Sequence, residues 1–405
     1  MNEPKGREKQ IIDERIKKIN SLREEGINPY PNRFEYIQQR THSTNVKEEF
    51  NNLNEGEKSP EERIIAGRVM TKRDFGKISF LTLQDLRGSI QIVFQKESSP
   101  KEVLEFFKKI DSADIIGVKG NPTKTKTGEI SILATEVQIL TKSILPLPDK
   151  HKGLKDEEEK LRKRYLDIIM NPEIKDLFIK KQKFWQATRN FLQEEGFLEV
   201  ETPILEVSAG GASATPFKTH HNALDADVFL RISMGELWQK KLLVAGYEKT
   251  FEIGRQFRNE GMDAEHLQDY TQMEFYWVYA SYEEGMKLVE KMYKAIAITT
   301  LGSLEFKSGD HNVDLSKEWE RYDFENLIKE KTGIDIYNSS KEEIINKLEE
   351  LKMENDSSLD KWKLIDTLWK YCRKSISGPG FLVGQPVELT SSCKKVQRRS
   401  KKSRT

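Results

Sequence analysis

The sequence predicts an α+β chain: a small five-stranded β-barrel followed by a larger domain in which an antiparallel sheet is flanked by helices. Three observations carry this. Short runs rich in β-branched and aromatic residues recur at residues 64–70, 77–83, 90–94, 115–119 and 130–140, with one helical stretch at 100–110. Residues 142–154, K-S-I-L-P-L-P-D-K-H-K-G-L, read as an extended linker, because two prolines suppress helix and remove backbone donors. Beyond it, residues 257–276 have the alternating pattern of a hairpin set among helical stretches.

Each element has a local reason. Residues 7–25 form a charged amphipathic helix with Ile11, Ile12, Ile16 and Leu22 on one side, ended by Gly26 and the prolines at 29–31. Five strands with one helix match the pattern of an oligonucleotide-binding barrel, and residues 61–145 carry a mild basic excess suited to a backbone-tracking groove or to an ordinary surface. A charged helix is expected at 156–169, a second at 172–195 ended by Gly196, and a strand at 197–202 stopped by Pro203. Residues 207–217, V-S-A-G-G-A-S-A-T-P-F, lack side chains that would block a ligand, although a plain turn explains them as well. Ser281 and Glu284, and again Ser340 and Glu343, have capping-box spacing, and a further helix is expected at 359–376. Residues 281–376 therefore read as a helical insertion.

Composition narrows the field. A chain of 405 residues has room for two or three domains. Two cysteines, Cys372 and Cys393, are too few for a disulfide framework and suggest no metal site, which points to a reducing compartment. The polar start and the lack of a long apolar run argue against a signal peptide or membrane span, so a cytoplasmic location is expected. The formal net charge of +1 includes seven basic residues between Lys394 and Arg404. That tail reads equally as a nucleic-acid arm or a disordered end.

The hairpin carries the chemistry. Thr271, Met273, Phe275 and Trp277 share one parity with the core candidates Phe251, Ile253 and Phe257. Tyr270, Gln272, Glu274 and Tyr276 share the other, with Glu252, Gln256 and Arg258 opposite them and Glu260 and His266 in the loop. Such a face suits a ligand combining phosphate, ammonium and an aromatic base, as ATP plus an amino acid does. The competing reading is an amphipathic hairpin with a solvated outer face.

Taken in order, the motifs resemble the class II lysyl-tRNA synthetases from about Arg7 to Leu389. The matching segments are T-K-R-D-F-G-K-I-S-F-L-T-L-Q-D at Thr71, T-K-T-K-T-G-E at Thr123, L-P-L-P-D-K at Leu145, R-K-R-Y-L-D at Arg162, G-F-L-E-V-E-T-P at Gly196, G-G-A-S-A-T-P-F-K-T-H-H-N-A-L-D at Gly210 and F-R-N-E-G at Phe257. The chain departs from the family pattern with M-G-E-L-W-Q-K-K at Met234 and L-Q-D-Y-T at Leu267, which puts Tyr270 where a phenylalanine usually stacks.

The resemblance implies an enzyme that activates L-lysine with ATP and transfers it to tRNA(Lys), with Mg2+ expected and a homodimer formed through the segment 172–203. Arg258 would be the catalytic residue, bridging carboxylate and α-phosphate. Gly211, Glu236, Glu274 and Tyr276 would hold lysine with Arg258; Glu260, His266 and Tyr270 would hold ATP with it. Arg73, Phe80, Gln91 and Glu129 would contact the anticodon; on the residues alone Phe80 reads as core. The implied organisation is a helical extension at 1–60, an OB-fold anticodon-binding domain at 61–145, a linker at 146–165 and a catalytic domain at 166–389.

The family pattern continues past Leu389 with acidic magnesium ligands, an Asn and a Glu that meet lysine, and a glycine-rich strand with an ATP-binding arginine. Residues 390–405 resemble none of these and read as an unrelated basic tail from a shift of frame near Thr390. The C-terminal part of the catalytic domain is thus expected to be missing, no protein ligand for the metal is expected, and the activity of this chain is expected to be impaired. The alternative reading is a non-catalytic tRNA-binding remnant that uses the barrel.

Overall fold

Alternating burial along residues 63–141 closes the first sheet into a barrel. The computed structural model describes residues 6–148, 156–212, 214–261, 263, 266–353, 356–376 and 378–389. It divides into two compact units, Met1–Asp176 and Leu177–Thr405.

In the first unit, helices α1 (Arg7–Glu24) and α2 (Ser43–Glu49) precede β1 (Arg63–Asp74), β2 (Ile78–Gln84) and β3 (Ser89–Gln95). Helix α3 (Lys101–Lys109), β4 (Ile115–Lys124), β5 (Ile130–Thr141), α4 (Glu157–Arg162) and α5 (Arg164–Met170) follow. The barrel order is β1-β2-β3-β5-β4, closed by β4 on β1, with only the β3–β5 pair parallel among barrel neighbours. The five strands and the helix after β3 agree with the sequence expectation. Ile65, Val69, Leu81, Leu83, Ile92, Phe94, Val118 and Ile132 fill the interior; each such side chain contributes about 1.5–3 kcal/mol of burial. The helix expected at 156–169 is two helices, interrupted where Lys163 leaves helical geometry at φ −112° and ψ 40°.

The linker begins tied down rather than free. Lys142 is fully buried and donates to Asp111 at 2.5 Å, to Asp114 at 2.6 Å and to the Lys109 carbonyl at 2.7 Å. Arg15 of α1 donates to the carbonyls of Ser112 and Leu145, both at 2.8 Å. The amide of Ser143 donates to Asp114 at 2.8 Å. Residues 149–155 of the linker lie outside the described residues.

Helix α6 (Ile174–Glu194) leads into the second unit, whose strands are β6 (Leu198–Glu199), β7 (Leu205–Glu206), β8 (Lys218–His221), β9 (Ala226–Leu230), β10 (Lys249–Phe257) and β11 (Asp269–Trp277). Helix α7 (Glu236–Val244) lies between β9 and β10, and α8 (Tyr282–Leu301) follows β11. β10 pairs antiparallel with β11 and parallel with β6, whereas β7, β9 and β8 form a second small sheet. The strand expected at 197–202 reduces to two residues, because Thr202 turns away to bond Glu252 and Arg231. Phe251, Ile253, Met273, Phe275 and Trp277 pack with Phe191, Phe197, Leu288 and Met292 from α6, α8 and the turn after α6.

Residues 281–376 hold both expected capping boxes, Ser281 with Glu284 and Ser340 with Glu343. They also hold a hairpin, β12 (Glu305–Ser308) with β13 (His311–Asp314), and a strand β14 (Glu320–Asp323) that pairs parallel with β15 (Gly380–Val383). Helices α9 (Phe324–Thr332), α10 (Lys341–Glu350) and α11 (Lys361–Cys372) share a separate core around Ile328, Ile336, Leu348 and Leu364. Cys372 is buried in that core as a free thiol.

Two outcomes follow for the first unit. Lys142→Met leaves Asp114 buried without its cation, so barrel unfolding in urea should lose about 3–5 kcal/mol, part of it recovered by adding Asp114→Asn. Burial holds Lys72 down at about 8 from the usual 10.5, so the native state releases that proton before the unfolded chain does. Barrel stability should then rise between about pH 8 and 10.5, and denaturation of Lys72→Met across that range should not show the rise.

Candidate active site and nucleic-acid face

The polar parity of the central hairpin is buried on β10 and half-buried on β11. Glu252 and Gln256 on β10 are almost fully buried, because the segment 231–235 and helix α7 lie across them. Arg231 is the centre of this cover. Its guanidinium pairs with Glu252 at 2.5 Å, donates to the Arg255 carbonyl at 2.8 Å and reaches the Thr202 carbonyl and hydroxyl at 3.2 Å. Gln239 of α7 donates to the Met234 carbonyl at 2.8 Å and accepts from Thr250 at 3.1 Å.

This arrangement brings four of the five residues expected to hold the amino acid into one place. Gly211 sits at φ +88°, and a Cβ there would lie 2.1 Å from the Ser233 hydroxyl and 2.6 Å from a Glu236 carboxylate oxygen. Glu236 opens α7 and pairs with Lys240. Glu274 accepts from the Met234 amide at 3.4 Å and from Gln272 at 2.7 Å. Burial pushes the Glu274 carboxyl up, and nearby Glu236 adds to the rise, while the Met234 amide, Tyr276 and Arg258 oppose it. The Tyr276 phenol is likewise pushed up by burial and by Glu274. Two carboxylates and a phenol gathered near Gly211 form an acidic cluster that can receive an ammonium group.

The fifth residue, Arg258, follows β10 directly. Its Nε donates to the Ile232 carbonyl at 3.3 Å, and its guanidinium lies 5.7 Å from the centre of the Tyr270 ring. Arg258 and Tyr270 are thus a cation and an aromatic plane side by side on the same face. Glu260 stands farther out, accepting from the Thr215 amide at 3.2 Å. His266 is turned onto Asp263 at 2.8 Å and is well exposed.

In the barrel, Arg73, Phe80 and Gln91 line one groove of about 700 Å³ together with Phe75, Lys77, Lys96, Lys124 and Lys126. Arg73 and Phe80 are register partners on β1 and β2. Phe80 lies on the outer parity of β2, opposite in sense to buried Leu81 and Leu83, and meets Phe75 edge to face at 6.1 Å. The core reading of Phe80 from the residues alone is therefore corrected. Its parity is shared with Ile78, Thr82 and Gln84, not with the interior. Gln91 is held by the Ser131 hydroxyl at 3.1 Å. Glu129 is exposed just before β5, outside the residues that line the groove.

Residues 156–404 match the family described as class II tRNA synthetases (D, K and N), and residues 64–140 match the OB-fold nucleic acid binding domain. A lysine–tRNA ligase of Bacillus subtilis is 43% identical over 383 residues, spanning 93% of this chain and 76% of the relative. The chain belongs to the class II lysine–tRNA ligase family. Lysine–tRNA ligases of Halalkalibacterium halodurans and Thermosipho africanus are each 40% identical, covering 95% and 96% of this chain and 77% and 76% of their own lengths.

Against the lysine–tRNA ligase pattern, the residues that sequence reasoning missed are those that carry the cluster rather than belong to it. Arg231 and Ser233 lie in none of the quoted motifs, Gln239 lies in one that was read only as a departure, and their burial is what reveals them. Among the described residues, no helix is long and apolar enough to cross a membrane, and no group of three or more His, Cys, Asp or Glu is placed to hold a metal ion. The tail from Thr390 onward, including the expected frame shift, lies outside the described residues. Gly211→Ala, which forces a side chain into left-handed backbone against Ser233 and Glu236, should cost about 1–3 kcal/mol in thermal unfolding of the second unit.

Proposed function

We propose that this chain acts as a lysine–tRNA ligase, and that the convergence of Gly211, Glu236, Glu274 and Tyr276 beside Arg258 is what carries the assignment. A lysine carboxylate oxygen attacks the α-phosphorus of ATP; the new P–O bond gives lysyl-adenylate as the bond to pyrophosphate breaks. The terminal ribose hydroxyl of tRNA(Lys) then takes the lysyl group, releasing AMP. The nucleophile is already ionised, so positioning and charge stabilisation matter more than a general base.

Arg258 is the catalytic residue in this reading, with a planar fork that can bridge carboxylate and phosphate. Tyr270 stacks on the purine, Glu260 meets its edge, and His266 approaches the terminal phosphates. The acidic cluster receives the ammonium groups, which favours lysine over neutral amino acids. Magnesium accompanies ATP in the family, and no group of three or more His, Cys, Asp or Glu among the described residues is placed to hold it. Residues 61–145 serve as the anticodon-binding domain, 146–165 as linker and 166–389 as catalytic domain. Phe80 offers a face for base stacking, with Arg73, Gln91 and Glu129 as polar contacts. The exposed Leu177, Phe178, Ile179 and Phe184 on α6 support a homodimer, and the cytoplasm is the expected place of work.

Exchange of pyrophosphate into ATP tests the reading. It should require L-lysine and should fall by at least about a hundredfold in Arg258→Ala; exchange that is indifferent to lysine would overturn it. In a separate measurement, Phe80→Ala should weaken binding of a lysine anticodon stem-loop by about 1–3 kcal/mol without changing lysine dependence.

A further inference from the structure

Three side chains on the hairpin form a directed chain that no role assigned so far accounts for. Glu274 accepts from the Gln272 amide nitrogen at 2.7 Å, and the Gln272 carbonyl accepts from the Gln256 amide nitrogen. A carboxylate can only accept hydrogen bonds when ionised, and a primary amide has one donating and one accepting end. Glu274 therefore dictates the orientation of both amides. Gln272 must turn its nitrogen to Glu274, which leaves its carbonyl for Gln256. Gln256 must then turn its own carbonyl away, and that oxygen is buried without a partner. Gly254, the register partner of Gln272, leaves room for Arg231 and Met234 to pack over β10. A Cβ at Gly254 would lie 2.5 Å from the Arg231 guanidinium and 3.0 Å from the Met234 methyl group.

We propose that Gln272 is a positioning residue for Glu274, and that Gln256 and Gln272 form a polarised amide relay that holds the donating end of Gln272 on that carboxylate. The relay rests on the reading of Glu274 as an ammonium acceptor. Its charged surroundings are Glu236 of α7, itself paired with Lys240, Glu252 opposite on β10 and paired with Arg231, Arg258 beyond β10, and Tyr276 on β11.

The test is the titration of the Glu274 side-chain carboxyl by carbon NMR in the full chain without ligand, assigned with Glu274→Gln, alongside lysine binding by calorimetry. Gln272→Met should move the Glu274 titration upward and weaken lysine binding about tenfold, since a hydrogen bond to a charged group is lost. Gln256→Met should move it upward by less. Should Gln272→Met fail to fold, Gln272→Asn shortens the amide and serves the same comparison. An unchanged titration in the folded variants overturns the relay, even if lysine binds. A shifted titration in a parent chain that binds no lysine leaves the relay standing and removes the ligase reading instead.

Discussion

The ion pair of Arg231 and Glu252, buried at 2.5 Å beneath the segment that covers the central hairpin, is the constraint on which the second unit depends. Burying two charges costs several kcal/mol each, so such a pair is weak as a source of stability. Its value here is geometric. One planar guanidinium gathers Glu252, the Arg255 carbonyl and both oxygens of Thr202, fixing three stretches of chain with one side chain. With those stretches fixed, the Met234 amide points at Glu274 and the start of α7 sets Glu236 beside Gly211.

The same logic governs the first unit. Lys142 sits between Asp111 and Asp114 where β5 leaves the barrel, and Arg15 of α1 ties the following residues to Ser112. The barrel's apolar interior supplies the stability, while these directional contacts decide where its exit points. The outward parity of β2 then stays free to present Phe80 next to Arg73 and Phe75.

Much of the fold was legible from pattern. β-rich runs placed five strands, Gly196 ended a helix, and two capping boxes stood where Ser and Glu were three apart. The hairpin's two parities were also legible, and its apolar side packs as that alternation requires. Local pattern failed where long-range contacts redirected the chain. Lys163 breaks one expected helix in two, and Thr202 abandons its strand for a bond to Glu252. Phe80 looked like core because an aromatic in a β-rich run usually is, yet parity puts it outside.

By itself the sequence determined the element types, the barrel, the two chemical faces of the hairpin and, through ordered motifs, the family. Those properties depend on residue type and spacing along the chain. Only the tertiary structure decided that Glu252 and Gln256 are covered, that Arg231 ties the cover down, and that Gln256, Gln272 and Glu274 align in one direction. Those properties depend on which donors find which acceptors once water is excluded, and residues such as Arg231 and Glu252, 21 positions apart, bear no local mark of it.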